Sequence, residues 1–119
     1  MTNKADITSL VTESIQDRKG HNITLIDLSN IESAAASQFI ICEGTSTMQV
    51  AAIADNVREQ LQERAGIKPY NYDGYANSQW IVIDYGDTLV HVFLPDVRER
   101  YSLETLWSDA PMTEIPDLD

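Results

Sequence analysis

The chain has 119 residues, of which 43% are hydrophobic, and this length and composition fit one domain with its own core. Lys and Arg number 8 against 19 Asp and Glu, and the resulting net charge of −11 disfavours binding to a phosphate backbone and favours a basic partner. The single cysteine, Cys42, lies in an apolar run, which is typical of a buried thiol in a reducing compartment. No targeting or membrane-spanning segment is recognisable, so we expect a cytoplasmic protein.

The first part of the chain alternates between helical and extended patterns. Apolar residues at helical spacing predict a helix over about residues 3–19, ended by Gly20. A β-branched, apolar run predicts a strand at 22–28. The continuous apolar run FIICE, residues 39–43, predicts a buried strand of the kind found at central or parallel positions.

The clearest helix signal follows that run. Ser46 and Gln49 form a capping box, and the apolar stripe behind them predicts a helix that ends at Gly66. Gly44 and Thr45 precede the same helix N-terminus, where an anion could bind to free backbone N–H groups. The segment lacks the Lys and the glycine pattern of a phosphate loop, so helix capping is the simpler interpretation.

The second part is richer in strands. A turn-rich segment predicts a short edge strand at about 69–72, and the next residues predict two strands at 79–85 and 88–94, joined by Gly86 and Asp87. The order of elements predicts an α/β protein with a mixed β-sheet packed with helices.

The end of the chain combines a helical signal with a change of composition. Asp96 followed by Glu99 suggests a capped helical turn. We predict a single domain over residues 1–108 and an acidic, proline-containing, loose tail over residues 109–119.

The hairpin WIVIDYGDTLVHVF has a register that follows from its turn. With Gly86 and Asp87 as the central turn residues, Tyr85 lies opposite Thr88 and Trp80 opposite Phe93. One face then collects core residues, namely Ile81, Ile83, Tyr85, Val90, Val92 and Leu94. The other face is mixed, with Trp80, Val82, Asp84, Leu89, His91 and Phe93, and is either half covered by the C-terminal helix or presented to a partner.

An enzymatic interpretation of the mixed face is weak. Nucleotidyltransferases hold their metal ions with carboxylates two apart on one strand, whereas Asp84 and Asp87 are three apart across a turn. Asp87 is ordinary turn chemistry, and His91 has no nucleophile beside it. We therefore predict no catalytic set, no metal site and no cofactor.

Aromatic side chains are the remaining clue, because Trp and Tyr often anchor interfaces. Tyr85 fits the rim of the core face, and Trp107 fits a residue that pins the C-terminal helix. For Trp80, on the mixed face, interface and core roles remain equally open.

Three ordered blocks of the sequence, GTSTMQVAAIADNV, DGYANSQWIVIDYGDTLVHVF and RERYSLETLW, together resemble the ribosomal silencing factor (RsfS, Iojap) family. That family has a Gly-Thr-Ser and Gln-Val helix followed by Trp-x-x-x-Asp-Tyr-Gly-Asp, Val-His-Val-Phe, Arg-x-x-Tyr and Leu-Glu-x-Leu-Trp. The resemblance covers about residues 5–111, and the three blocks stand at the family's spacing.

The resemblance implies a mixed sheet shaped like a nucleotidyltransferase but without its catalytic carboxylates. It also implies a non-enzymatic factor that binds the large ribosomal subunit through large-subunit ribosomal protein fourteen. By blocking association with the small subunit, such a factor represses translation under nutrient limitation or in stationary phase. Members are often homodimers when free, and relatives occur in mitochondria and chloroplasts.

The family pattern can be carried over position by position. It places five predicted partner-binding residues in the hairpin: Trp80, Asp84, Tyr85, Asp87 and His91. It also places Gly86 in the turn and Arg98, Tyr101 and Trp107 in the segment that follows. We expect Trp80 to anchor the partner and the two carboxylates to meet its Lys or Arg residues, with little direct contact to RNA.

Two positions and three functions remain open at this point. The family usually has an acidic and then an aromatic residue before the FIICE strand, where this chain has Ser37 and Gln38. The alternative functions are a nucleotide-binding or nucleotidyltransferase-like enzyme, a ribosome assembly factor, and an acidic adaptor for another basic partner.

Overall fold

The computed structural model of the protein describes residues 4–118, and the predicted first residue of the N-terminal helix, residue 3, lies outside them. Within the described range there are four helices and six strands, named here in chain order. They are α1 (Lys4–Asp17), β1 (His21–Asp27), β2 (Gln38–Glu43), α2 (Thr47–Ala65), β3 (Asn71–Asp73), β4 (Trp80–Asp84), β5 (Thr88–Phe93), α3 (Pro95–Tyr101), α4 (Leu103–Leu106) and β6 (Met112–Ile115).

All six strands form one mixed sheet in the order β3-β4-β5-β2-β1-β6. β2 and β5 pair in parallel, and every other neighbouring pair is antiparallel. β2 therefore lies in the interior of the sheet, and all its residues except Glu43 are buried. The prediction of a mixed α/β fold is confirmed, as is the prediction of a central or parallel position for FIICE.

One face of the sheet is covered by the two long helices, α1 and α2. The core between these helices and the sheet is fully apolar at its centre, where side chains from four strands and both helices are 0% exposed. These side chains are Val11, Ile15, Ile23, Ile40, Cys42, Val50, Ile53, Ala54, Val57, Leu61, Ile81, Ile83, Val90 and Val92. We refer to this side as the helix-covered face.

The ends of the two long helices show different stop signals. α1 ends at Asp17, two residues before the predicted limit, because Lys19 takes a left-handed conformation with φ 61°. Gly20 is needed for space, since a Cβ there would lie 2.4 Å from Ile15 Cγ2. α2 ends as predicted at Gly66, whose φ is 66° and whose N–H donates to Gln62 O.

The N-terminus of α2 is capped by the predicted pair of side chains. The backbone N–H of Gln49 donates to Ser46 Oγ at 3.1 Å, and Gln49 Oε1 accepts the N–H of Thr45 at 2.6 Å. The second bond reaches one residue further back than in the usual capping box. Ser46 and Thr45 therefore serve the helix itself, which was the simpler interpretation of this segment.

The hairpin of β4 and β5 has the predicted register. Trp80 pairs with Phe93 and Asp84 with Leu89, and the N–H of Tyr85 donates to Thr88 O at 2.9 Å beyond them. Gly86 adopts φ 88° in the turn, a conformation that strongly favours glycine. The alternation of side chains between the two faces follows from this register.

The second face of the sheet is covered on one side only, by the C-terminal segment. Val97 from α3 and Ala110 beyond α4 join a second apolar cluster built on β1, β2 and β5, whose buried strand residues are Ile26, Phe39, Ile41 and Phe93. α3 begins with Pro95 in its first turn after Leu94, and no side chain caps it. The prediction that Asp96 caps this helix is wrong, because Pro95 already fixes the backbone for the first turn.

The predicted loose tail contains a strand. Met112–Ile115 forms β6 and pairs antiparallel with β1, with Met112 opposite Ile26 and Ile115 opposite Ile23. Beyond it, Asp117 accepts the N–H of Asn22 at 2.9 Å. The looseness predicted for residues 109–119 is therefore wrong over this stretch, because the edge of β1 supplies backbone partners that composition alone does not reveal.

No helix within residues 4–118 is long and apolar enough to cross a membrane.

Candidate functional site

The five predicted partner-binding residues divide between surface and interior. Trp80 and Asp84 are partly exposed and Asp87 is exposed, whereas Tyr85 and His91 are 7% and 4% exposed. The hairpin brings Trp80, Asp84 and His91 to one face and turns Tyr85 to the other. Only Trp80, Asp84 and Asp87 can touch a partner directly, and the buried Tyr85 and His91 can act only through the residues that they support.

Trp80 is held on three sides and open on the fourth. Its Nε1 donates to His91 Nδ1 at 3.1 Å, its ring stacks on Phe93 with centroids 4.9 Å apart, and the Tyr101 ring lies 4.8 Å away. The ring also packs against the second apolar cluster. Trp80 is thus neither a pure core residue nor a free surface residue, and its orientation is fixed before any partner arrives.

His91 is a structural support for Trp80. Burial lowers the pKa of His91 to about 4, so the ring is neutral at pH 7. Since Nδ1 accepts the Trp80 proton, the neutral ring carries its own hydrogen on Nε2, which is buried and has no hydrogen-bond partner among the described residues. The Phe39 ring packs edge-on at 4.6 Å. A neutral, enclosed imidazole of this kind fits positioning better than acid–base chemistry.

The two carboxylates have different roles in the turn. Asp84 accepts the backbone N–H of Gly86 at 2.7 Å and so stabilises the turn. The exposed Asp87 contributes its backbone carbonyl, which accepts the N–H groups of Ser37 and Gln38 at 2.8 and 3.1 Å. The Asp87 carboxylate is consequently the more available of the two for a partner.

Gln38, one of the two departures from the family pattern, is a buried connector. Its Nε2 donates to Thr8 Oγ1 at 2.7 Å and to Thr88 Oγ1 at 3.1 Å, which joins α1 to the starts of β2 and β5. The residue is 5% exposed. The change at this position therefore affects internal packing and leaves the hairpin surface intact.

Tyr85 belongs to the helix-covered face. Its ring joins that core, and its hydroxyl is buried without a hydrogen-bond partner among the described residues. Burial raises the pKa of Tyr85 to about 12, so the hydroxyl stays protonated. The register placed Tyr85 on this face from the sequence, and the packing agrees with that placement.

An uncovered part of the mixed face lies over β3, β4 and the start of β5. Directly opposite residues of antiparallel strands share a face, so Asn71 stands beside Asp84 and Asp73 beside Val82. We call this surface the open strip, and it consists of Asn71, Asp73, Val82, Asp84 and Leu89, all exposed or partly exposed. Its centre is apolar and its rim acidic.

A groove of about 280 Å³ adjoins the open strip beside Trp80. Asp73 lines it from β3, and Val97, Arg100 and Tyr101 line it from α3. Sequence reasoning missed Asn71 and Asp73, because it predicted an edge strand at about 69–72 without a register against the next strand. The alternation opposite Val82 and Asp84 is the signal that could have found them.

Among residues 4–118 no group of three or more His, Cys, Asp or Glu side chains is placed to hold a metal ion. Burial raises the pKa of the Cys42 thiol to about 12, so the thiol stays protonated.

Comparisons with known proteins agree with one another. The family model described as "Ribosomal silencing factor during starvation" (RsfS) matches residues 2–119. A protein named ribosomal silencing factor RsfS from Bacillus subtilis is 36% identical over 95% of this chain and 94% of its own length. Another of that name, from Halalkalibacterium halodurans, is 38% identical over 92% of each chain.

Similarity extends to solved structures. A crystal structure of a Chromobacterium violaceum protein matches with a TM-score of 0.85 at 36% identity, over 90% of this chain and 88% of that one. A structure from Bacillus halodurans matches with a TM-score of 0.80 at 34% identity, over 94% and 100% of the two chains. The resemblance drawn from the three sequence blocks is thereby confirmed, and the chain belongs to the ribosomal silencing factor family.

Proposed function

We propose that the protein is a non-enzymatic translation regulator that binds the large ribosomal subunit and blocks its association with the small subunit. Membership of the family described as acting during starvation supports this role, with translation lowered when nutrients are limiting. The partner on the subunit is large-subunit ribosomal protein fourteen.

The open strip is the proposed docking surface, and it is the observation that carries the proposal. Val82 and Leu89 offer apolar area, and Asp73, Asp84 and Asp87 surround it with carboxylates. Trp80 borders the strip in a fixed orientation and provides the anchor. The combination suits a basic protein surface, since complementary charge speeds encounter and an apolar centre supplies affinity.

Steric occlusion is the proposed mechanism. A domain seated on the intersubunit face needs only affinity and bulk, because every occupied large subunit is removed from the joining equilibrium by mass action. The net charge of −11 makes an extended contact with ribosomal RNA unfavourable. No step requires a catalytic group or a cofactor.

Gradient sedimentation tests the proposal directly. Purified protein is added to separated subunits, and its distribution and the height of the joined-ribosome peak are measured. We expect the protein to migrate with the large subunit and to reduce the joined peak in proportion to its concentration. Protein that stays at the top of the gradient and leaves the peak unchanged would contradict the proposal.

A pair of charge reversals tests the docking surface. Asp87→Lys changes an exposed residue at the edge of the strip, and Glu63→Lys makes the same charge change at an exposed position of α2. We expect Asp87→Lys to weaken binding to the large subunit about tenfold, corresponding to about 1.4 kcal/mol, and Glu63→Lys to have little effect. An equal loss of binding in both variants would mean that the partner binds another surface, or that only the net charge of the protein matters.

A second candidate function is a role in assembling the large subunit. A mouse protein named mitochondrial assembly of ribosomal large subunit protein 1 is 29% identical over 88% of this chain, and that name favours an assembly role for it. In cells that lack the present protein, this function predicts immature large subunits during growth. Silencing predicts mature subunits that join too readily during starvation.

Two further parts of the proposal have their own measurements. If the protein turns over nucleotides in a metal-dependent reaction that Asp84→Asn abolishes, it is an enzyme and the regulator proposal is wrong. A homodimer of the free protein stays a prediction, and light scattering of the purified chain decides it.

A further inference from the structure

We propose that Arg98 is a positioning residue for the docking surface: it fixes α3 on the sheet so that Tyr101 supports Trp80. The importance of this support for binding rests on the function proposed above. The fixing of Trp80 itself concerns the free protein and is measured without a partner.

Arg98 is the most completely bonded charged side chain of the C-terminal segment among the described residues. Its Nε and Nη2 both reach Glu104 Oε2 at 3.0 Å. Nη1 donates to Asn22 O at 2.6 Å and to Glu43 Oε2 at 3.1 Å, and Nη2 also donates to Thr24 Oγ1 at 3.0 Å. A guanidinium has five N–H donors, and here they make four hydrogen bonds and one further ion-pair contact.

These bonds connect four elements of the fold. Thr24 and Asn22 belong to β1, Glu43 ends β2, and Glu104 lies in α4, while Arg98 itself is in α3. The side chain is 9% exposed, and the Glu43 side chain is 15% exposed. Such a buried charge is tolerated only with nearly all its partners in place, so its geometry is restrictive.

α3 depends on such anchors for its position. It has seven residues and no side-chain cap, and a helix of this length is not stable on its own in water. Val97 supplies a buried apolar contact on the same turn, and Arg98 supplies the directional bonds. The apolar contact allows sliding and rotation, whereas the four hydrogen bonds of Arg98 fix both.

Tyr101 follows Arg98 by three residues, nearly one helical turn, and its position is set by that of α3. The Tyr101 ring lies 4.8 Å from that of Trp80, which also contacts Phe93 and His91. α3 also forms one wall of the groove beside Trp80. A shift of α3 would therefore loosen Trp80 and reshape the groove without touching the hairpin.

The test uses a chain in which Trp80 is the only tryptophan. The sequence has two, and Trp107→Phe removes the other with an aromatic ring retained. In this background we compare Arg98→Lys with Arg64→Lys, which makes the same change at an exposed arginine of α2. Lysine keeps the charge but offers three donors on one atom, so it cannot reproduce the planar set of bonds.

We expect Arg98→Lys to increase acrylamide quenching of Trp80, to shift its emission to longer wavelength, and to weaken large-subunit binding about tenfold. Arg64→Lys should leave all three unchanged. Ser46→Ala in the same background destabilises the chain at a distant helix cap, and it should leave Trp80 quenching unchanged at a comparable loss of stability. This control separates positioning from a general loss of stability.

If Arg98→Lys does not fold, Glu104→Gln removes the charge of one partner and should produce the same changes at smaller amplitude. Folded Arg98→Lys or Glu104→Gln protein with unchanged Trp80 quenching would overturn the proposal. If wild-type protein fails to bind large subunits, the proposed function is wrong, and the quenching result still decides whether Arg98 positions Trp80.

Discussion

The two faces of the sheet are covered to different extents and by different elements. The helix-covered face is closed by 14- and 19-residue helices over a core in which Ile40, Ile81 and Val92 are 0% exposed. The mixed face is closed by a short C-terminal segment that covers its β1–β2–β5 side and touches β4 at Trp80. The first face is complete without a partner, and the second leaves the open strip uncovered.

The interactions that hold the two faces also differ in kind. The helix-covered face relies on apolar contact, which tolerates small movements, with Gln38 as a polar connector at its edge. The mixed face has an apolar cluster too, but it is also held by hydrogen bonds that involve His91 and Arg98. Directional bonds are suited to holding exposed groups in fixed positions, and Trp80 is such a group. The comparison thus separates the part of the fold that stabilises from the part that presents a surface.

The largest expected effect comes from neighbouring residues on the two faces of β4. Ile83→Ala should lower the free energy of unfolding by about 2–5 kcal/mol, because Ile83 is fully buried under the helices. Val82→Ala, on the open strip, should cost about 1 kcal/mol or less, since its side chain is partly exposed. Urea unfolding of both variants measures the difference. Equal losses would mean that the strip is covered in solution.

An intermediate effect concerns pH and the mixed face. Folding lowers the pKa of His91 from 6.5 to about 4. Between pH 6.5 and pH 4, His91 is therefore protonated in the unfolded chain and neutral in the folded chain. The stability due to neutral His91 is fully present above pH 6.5 and is lost as the pH falls towards 4, by roughly 3 kcal/mol.

The control for this pH effect is His91→Gln, which keeps an acceptor for Trp80 and does not titrate. Wild type should lose more stability than the variant between pH 7 and pH 4 in denaturant unfolding. If the stability of wild type and variant depends on pH in the same way, folding does not lower the pKa of His91.

The smallest expected effect on stability comes from substitutions in the first turns of two helices, one on each face. Ser46→Ala removes the cap of α2 and should cost about 1 kcal/mol. Asp96→Ala, in the first turn of α3, should cost about 0.5 kcal/mol or less, because no side chain caps that helix and only the helix dipole is affected. Thermal unfolding of the two variants ranks them. A larger loss for Asp96→Ala would restore the capping role predicted from the sequence.

The hairpin was predictable because its information is local. Gly86 fixes the turn, the turn fixes the register, and the alternation of side chains then assigns each residue to a face. The same local logic identified the cap of α2 and its end at Gly66. For the candidate site, this reasoning placed Trp80 and Asp84 on the mixed face before any tertiary contact was known.

Two features that the sequence did not reveal, the strand β6 and the burial of His91, depend on distant partners. β6 looked like a loose tail because its partner, β1, lies about 90 residues earlier in the chain. The early end of α1 has a local cause instead, because Lys19 adopts a left-handed conformation beside Gly20, which packs closely on Ile15. The burial of His91 became visible only when Phe39 and Trp80 were placed around it.

The sequence by itself determined the family, the mixed α/β class, the hairpin register and the acidic character, because each follows from local pattern or from composition. Tertiary structure alone decided that Trp80 is held by His91 and Tyr101, and that Arg98 joins α3 to two distant strands. It also decided which part of the mixed face stays open. Those features depend on contacts between residues far apart in the chain, and such contacts exist only once the sheet has closed against its helices.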